Sequence, residues 1–260
     1  MLPADVREAF NRVMAAGIPL SQSRLGRPTL GVKTGCNEAF VTPDGRVERE
    51  LLRPLVRGET IAAWALPPSS DRIIWTHDES GRPLRALPAG AMDWLSSFRS
   101  KLENRSDARG NGRWWSLFRI DSADYSRPRV VWADVARTPK AAVIPTGDKS
   151  VAINSCYVVR CADLCDAYGL ATLLNSPLAA AWLNVIAEPA RGGYHRYLGW
   201  TMSLLPVPRD WKRAATILAP LCNSALEGAP PGDLELMDAT LEAFGLELGD
   251  VERLLEWDAK

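Results

Sequence analysis

A run of arginines interleaved with aromatic residues lies between residues 105 and 119. A guanidinium group can form paired hydrogen bonds with a guanine edge or a phosphate, and an aromatic ring can wedge at a base step. The residue types therefore make this segment a candidate nucleic-acid contact, with the set Arg105, Arg109, Arg113, Trp115 and Arg119. Trp114 and Phe118 are four residues apart, and this helical spacing favours a place in the core for one or both tryptophans.

A second candidate segment is Arg-Gly-Gly-Tyr-His-Arg-Tyr at residues 191–197. Its glycine pair lets the backbone approach a phosphate, and Arg191, Tyr194 and Arg196 are its candidate DNA contacts. A plain loop between a helix and a strand explains the same residues equally well. Arg137, with Lys140, flanks a predicted strand and is a further candidate, although a solvated strand edge accounts for it too.

The third segment is Gly-Val-Lys-Thr-Gly-Cys-Asn at residues 31–37. Its two glycines permit a positive φ or a close approach of two backbones, and its short polar side chains are suited to fixing a loop. Lys33, Thr34 and Asn37 are therefore predicted to brace the domain core or to dock on another domain. Direct contact with DNA is the alternative.

The elements that position these groups are both helices and short strands. Hydrophobic periodicity predicts helices over 5–16, 164–174, 177–187, 233–244 and 250–257, with Ser176 as an N-cap and Gly245 as a stop. Residues rich in β-branched and aromatic types predict strands at 71–76, 129–135, 141–146 and 155–160. The predicted fold class is α+β, with mixed β-sheets, flanking helices and a helical C-terminal appendage.

Three local predictions rest on turn and cap residues. A hairpin is expected to join 39–42 to 46–50 through Pro43-Asp44-Gly45. Asp93 is expected to cap a helix carrying Trp94 and Phe98. Residues 206–208 and 228–232 are the best linker candidates because they are rich in proline and glycine.

Charge divides the chain. The formal net charge is zero, with 31 basic and 31 acidic residues, but residues 227–260 hold ten acids and two bases, a local charge of −8 that leaves +8 on residues 1–226. We expect a body at 1–226 and an acidic helical segment at 227–260. A basic body is compatible with nucleic-acid contact, although a general preference for arginine over lysine gives the same count.

The predicted location is cytoplasmic. No apolar run reaches the roughly 18 residues of a membrane helix, and the N-terminal residues lack a signal-peptide pattern. An odd number of cysteines, five, argues against a disulfide framework.

Taken in chain order, seven motifs resemble the C-terminal specificity region of TaqI-like and Eco57I-like adenine-specific DNA methyltransferases. They lie at 31–40 (Gly-x-x-Thr-Gly-x-Asn-x-Ala-Phe), 54–61 (Pro-Leu-x-Arg-Gly-x-x-Ile), 102–105 (Leu-x-x-Arg), 114–115 (Trp-Trp), 127–132 (Arg-Pro-Arg-aliphatic), 173–177 (Leu-Leu-Asn-Ser-Pro) and 205–208 (Leu-Pro-x-Pro). The likeness covers roughly residues 25–245. No single motif is specific, and the order of the seven carries the resemblance.

The resemblance implies a target-recognition domain, or specificity subunit, that grips double-stranded DNA in a restriction–modification system. The residues for DNA methylation itself are missing. The Pro-Pro pairs at 67–68 and 230–231 lack the polar residue before and the aromatic after, and the Gly-x-Gly at 110–112 follows no strand. The chain is therefore expected not to be an enzyme on its own. S-adenosylmethionine and base flipping would belong to a catalytic methyltransferase subunit or domain.

The rival interpretation is a protein-interaction or regulatory module derived from such a domain. The acidic helices after Gly232 would then be its docking surface. One continuous basic face would favour DNA, whereas scattered charge would favour the rival. No metal-ligand pattern surrounds His77 or His195, and no metal is expected.

Overall fold

The computed structural model describes residues 2–42, 45–108 and 113–259. The α-helices are α1 (Ala4–Ala16), α2 (Asn37–Phe40), α3 (Ala89–Ser96), α4 (Arg99–Glu103), α5 (Leu164–Leu174), α6 (Pro177–Ile186), α7 (Gly199–Ser203), α8 (Trp211–Leu226), α9 (Asp233–Phe244) and α10 (Leu248–Asp258). The strands are β1 (Gly17–Pro19), β2 (Thr29–Leu30), β3 (Val41–Thr42), β4 (Leu52–Val56), β5 (Arg72–Ile74), β6 (Arg129–Ala133), β7 (Val135–Ala136), β8 (Ala141–Ile144), β9 (Val151–Ala152), β10 (Cys156–Arg160), β11 (Glu188–Ala190), β12 (Tyr194–Arg196) and β13 (Pro206–Pro208). The predicted α+β class is confirmed.

The strands form small sheets rather than one large sheet. The orders are β2-β10-β6-β8, β3-β5-β4-β9, β11-β12-β7 and β1-β13. The pairs are antiparallel except β4 with β9, which is parallel, so one sheet is mixed. Strand β6 is buried along its whole length because it lies between two neighbours in its sheet and is covered by packed side chains.

The larger core lies under the helices. Gly169 of α5 lets α8 pack closely, since a Cβ there would lie 3.2 Å from the Trp211 ring, and the Trp211 indole N–H donates to Asp166 at 2.9 Å. The Trp182 ring of α6 stacks on Phe10 of α1, with ring centroids 4.7 Å apart. Helices α9 and α10 bury apolar side chains, Leu241 and Leu254 among them, in this same core.

A second core fills the N-terminal half, between β3-β5-β4-β9 and α3. Phe40, Ile73, Ile74 and Leu95 are fully buried there. Among the described residues no single helix is both long and apolar enough to cross a membrane. Helices α5 and α6, bent by 67° at their junction, pass that length and composition test only as a pair.

Most of the predicted elements are confirmed. Helices α5 and α9 have the predicted bounds, Ser176 caps α6 by accepting the Ala179 N–H at 3.2 Å, and Gly245 ends α9 in the left-handed conformation. The strands predicted at 71–76, 129–135, 141–146 and 155–160 contain β5, β6, β8 and β10.

The three predictions from turn and cap residues fare differently. The hairpin is wrong: β3 pairs with β5, and residues 37–40 are helical; its Pro43-Asp44 turn lies outside the described residues. Asp93 is no cap, because α3 begins at Ala89, where the Glu48 carboxylate accepts the Gly90 and Ala91 N–H groups. Residues 206–208 are a buried strand rather than a linker. Residues 228–232 do connect α8 to α9.

Candidate nucleic-acid interface

The glycines of the 31–37 loop serve the two purposes predicted for them. Gly31 packs backbone against backbone: its N–H donates to the Cys156 carbonyl at 2.9 Å, and a Cβ on Gly31 would lie 2.1 Å from the Ile153 carbonyl oxygen. Gly35 has a φ of +67°. The loop therefore needs glycine at one position for space and at the other for conformation.

Short polar groups close this loop on itself. The Thr34 hydroxyl donates to Asn37 Oδ1 at 2.5 Å and accepts the Cys36 N–H at 3.1 Å. Lys33 pairs with Asp107 at 2.5 Å, and its backbone exchanges two hydrogen bonds with Phe118. These bonds join the loop to the segment that contains the arginine–aromatic run.

Replacing Asn37 by alanine is expected to lower the free energy of unfolding by about 1 kcal/mol, because the buried Thr34 hydroxyl loses its acceptor. DNA affinity is expected to stay unchanged. Urea denaturation and duplex binding check the two parts. Asn11→Ala, at an exposed position of α1, is the matched control and should not destabilise the protein. Normal unfolding together with lost DNA binding would show that Asn37 contacts the ligand instead.

Arg105 and Trp115 are removed from the candidate contacts by their burial. Arg105 is only 6% exposed, and its guanidinium donates to the backbone carbonyls of Leu102, Thr34, Ser116 and Trp114. Trp115 is equally buried, and its indole N–H donates to the Leu84 carbonyl at 3.2 Å. Arg105 therefore holds three chain segments together, and Trp115 is a core residue.

Arg113 and Arg119 are exposed. The Arg113 guanidinium lies 5.3 Å from the centre of the Trp115 ring. Arg119 has a φ of +54°, a left-handed conformation that non-glycine residues seldom adopt and that often marks a functional position. Arg109 lies outside the described residues.

The sheet β11-β12-β7 gathers the other candidates. In its register Arg196 lies opposite Val135 and His195 opposite Ala136, while Tyr194 lies opposite Ala190. Because side chains alternate along a strand, Tyr194 and Arg196 share one face and His195 points to the other. The Arg137 guanidinium lies 5.3 Å from the centre of the Tyr194 ring, so Arg137 belongs to the first face. We call this face the basic face.

The turn of this sheet extends the basic face. Residues 191–193 connect β11 to β12, with φ values of +74° at Gly192 and +75° at Gly193. Both values are favourable only for glycine, so the glycine pair makes a tight hairpin rather than the helix-to-strand loop considered above. Arg191 is exposed at the start of that turn.

The arginines of the basic face have no acidic partner. Within the part of the chain that the structure describes, Arg137, Arg191 and Arg196 form no ion pair. Carboxylates do pair with Arg12, Arg24, Arg57, Arg99, Arg160, Arg213 and Arg253. Unpaired guanidinium groups grouped on one exposed sheet are available to an anionic ligand.

A cavity of about 510 Å³ opens beside the basic face. Its lining includes Glu59, Asp134, Arg137, Lys140 and Tyr194. Burial raises the pKa of the Asp134 carboxyl, while the hydrogen bond from the Val135 backbone N–H and the positive charge of Arg196 act in the opposite direction. Sequence analysis missed both acids, since a single carboxylate in a turn carries no distinctive pattern. Among residues 2–42, 45–108 and 113–259, no three His, Cys, Asp or Glu side chains are grouped as a metal site requires.

The sequence matches no protein-family model and no curated protein sequence. Among solved structures the chain is similar to a Type IIL restriction-modification enzyme, MmeI, determined in complex with DNA, at a TM-score of 0.61 and 13% sequence identity. The likeness is one of fold. It covers 93% of this chain but only 36% of the MmeI chain. The chain thus has the fold of part of a restriction-modification enzyme.

Proposed function

We propose that this chain is the sequence-specific double-stranded DNA recognition domain or subunit of an adenine-specific methyltransferase in a restriction–modification system. The observation that carries the proposal is the basic face, on which Arg137, Arg191 and Arg196 form no ion pair with any described residue and lie beside Tyr194. The likeness in fold to an enzyme solved with DNA, and the motif order, support it.

The geometry suits the major groove. That groove is about 12 Å wide and admits a two-stranded β-ribbon, and the β11–β12 hairpin is such a ribbon. Its arginines can bind phosphates, which position the protein, or guanine edges, which carry sequence information. Tyr194, 40% exposed, adds an aromatic surface that can pack on a sugar.

Methyl transfer is assigned to another polypeptide or domain. The chain lacks the sequence features that receive S-adenosylmethionine and hold a flipped adenine, as argued from its Pro-Pro and Gly-x-Gly segments. A catalytic methyltransferase partner would supply them, and this chain would not be an enzyme on its own. Methyl transfer by the purified chain would contradict this assignment.

The test is binding to a randomised duplex pool at two salt concentrations, followed by sequencing of the retained DNA. We expect steep salt dependence, because cations that bind phosphates release counterions, and one enriched short motif. Binding without an enriched motif would reduce the proposal to non-specific DNA binding. Absence of binding at low salt would contradict it for the isolated chain.

Replacing Arg113 by alanine is expected to weaken duplex binding by about 1–3 kcal/mol. If Arg113 reads a base, preference at one position relaxes. If it binds phosphate, the loss is similar for all sequences and the salt dependence becomes shallower. Fluorescence polarisation with the selected duplex checks this, with Arg85→Ala as an exposed-arginine control. Unchanged affinity would exclude this segment from the interface.

One observation favours the rival, a protein-interaction module. Beside the acidic helices α9 and α10 lies a mainly apolar groove of about 690 Å³, lined by Trp64, Met237 and Leu255 among others. At its rim Leu234 is 83% exposed and Leu248 is 54% exposed, so two apolar side chains face solvent beside the groove. If Leu234→Ser abolished binding of a partner protein while DNA binding stayed normal, the result would favour protein docking in this groove.

A further inference from the structure

Asp134 occupies a fixed position between β6 and β7. Its backbone N–H donates to the Ser155 carbonyl at 3.0 Å, and its carbonyl accepts the Tyr197 N–H at 2.8 Å. Both bonds connect the junction to other elements, so the backbone that carries the carboxylate is held on two sides. A group held in this way can act as a specific contact because little is lost in ordering it.

Asp134 lines the cavity beside the basic face. Arg137, Lys140 and Tyr194 line the same cavity, and Glu59 stands exposed at its edge. Asp134 forms no ion pair and no hydrogen bond with another side chain of the described residues, and its carboxylate accepts from the backbone N–H of Val135. Arg196 influences it electrostatically without reaching ion-pair distance.

A carboxylate at this place opposes phosphate binding. Phosphates repel it, and half-burial makes its charge costly unless a hydrogen-bond donor faces it. The donors that DNA presents in the major groove are the exocyclic amino groups of cytosine and adenine. If the basic face holds DNA, an amino group of a base is therefore the group of the duplex that the Asp134 carboxylate can accept a hydrogen bond from.

We infer that Asp134 is a specificity-determining residue that accepts a hydrogen bond from the amino group of a cytosine in the recognised duplex. This inference rests on the proposed function. Adenine fits less well, because its N7 acceptor lies beside the amino group and faces the second carboxylate oxygen. Cytosine offers only its amino donor there. The guanine paired with it presents two acceptors, which suit Arg137 or Lys140 on the same cavity wall.

The test compares the wild type with Asp134→Asn in the randomised-duplex selection. Asparagine has nearly the same shape but pairs with the N6 and N7 groups of adenine. We expect one cytosine position of the wild-type motif to lose its preference by roughly 5- to 150-fold, with adenine rising there. Melting temperatures of the two proteins are measured in parallel, and Asp134→Ala, which removes the acceptor altogether, should accept all four bases at that position.

Glu59→Gln is the matched control because it removes the same charge from the exposed edge of the same cavity. It should strengthen binding to every sequence modestly and leave the motif intact. If the wild type selects no motif, the proposed function and the inference both fail. If it selects a motif that Asp134→Asn leaves unchanged, the inference alone fails. A motif altered equally by Glu59→Gln would show a general charge effect and also overturn it.

Discussion

The double substitution Arg191→Ala and Arg196→Ala is expected to weaken duplex binding by roughly 30-fold or more. An arginine that reads a base edge contributes about 1–3 kcal/mol, and these two lie in one hairpin and form no ion pair within the part of the chain that the structure describes. Their loss should also make the dependence of affinity on salt shallower, by about one charge for each phosphate contact removed. Fluorescence polarisation with the selected duplex at several salt concentrations measures both effects.

The control removes the same charge elsewhere. Arg7 on α1 and Lys212 on α8 are exposed cations on helices rather than on the basic face. Replacing both by alanine lowers the net charge by the same amount as the first double substitution. Affinity should then fall only slightly, through long-range attraction. Equal losses in the two double variants would mean that DNA responds to the total charge of the protein. That result would contradict a specific role of the basic face in DNA binding.

Replacing Gly31 by alanine is expected to destabilise the fold by about 4 kcal/mol. The new Cβ would lie 2.1 Å from the Ile153 carbonyl oxygen and 2.7 Å from the Ala152 oxygen. Both obstacles are backbone atoms in a paired segment, so no rotation of a side chain relieves the clash. The bridge between Val32 and Ile153 has to open, and with it the contact between the 31–37 loop and β9.

Gly249→Ala supplies the contrasting measurement. A Cβ at Gly249, in the first turn of α10, meets nothing within 4 Å, so alanine should stabilise the helix by about 0.5 kcal/mol. Urea-denaturation midpoints of the two variants should move in opposite directions. Similar midpoints would mean that the loop relaxes easily, and the tight approach at Gly31 would have no energetic importance.

Local signals predicted the elements whose ends are set by local chemistry. Helix α6 begins where Ser176 and Pro177 place it, and α9 ends at Gly245, because caps act within one turn. Helix α3 shows the limit of this reasoning. Glu48, more than forty residues away, caps it, so Asp93 gave the wrong start.

Strand pairing was beyond prediction because it joins distant segments. Arg137 and Arg196 lie on one sheet, yet nothing near either residue specifies the other as its neighbour. The hairpin predicted around Gly45 failed for the same reason, since β3 pairs with β5 instead. The Pro-x-Pro at 206–208 resembles a linker, but an edge strand tolerates proline, and among the described strands β13 pairs only with β1.

The candidate site was predicted in part. Residue type and spacing selected Arg137, Arg191 and Arg196, which the structure places together. They also selected Arg105, because an arginine in a polar segment looks the same whether it faces solvent or binds buried carbonyls. Only the fold reveals the carbonyls of Thr34 and Ser116 around it. Asp134 was not predicted, since its proposed role depends on the cavity around it, which no local sequence pattern indicates.

The packing of α1 against α10, and of β1 against β13, has a consequence for synthesis of the chain. The apolar side of α1, with Val6 and Val13, packs on α10, which follows it by more than 230 residues along the chain. At about 5–20 residues per second, α1 waits on the order of tens of seconds for this partner. During that time it is an exposed amphipathic segment, open to chaperones and to aggregation. The contact between α1 and α10 can therefore form only after α10 has left the ribosome.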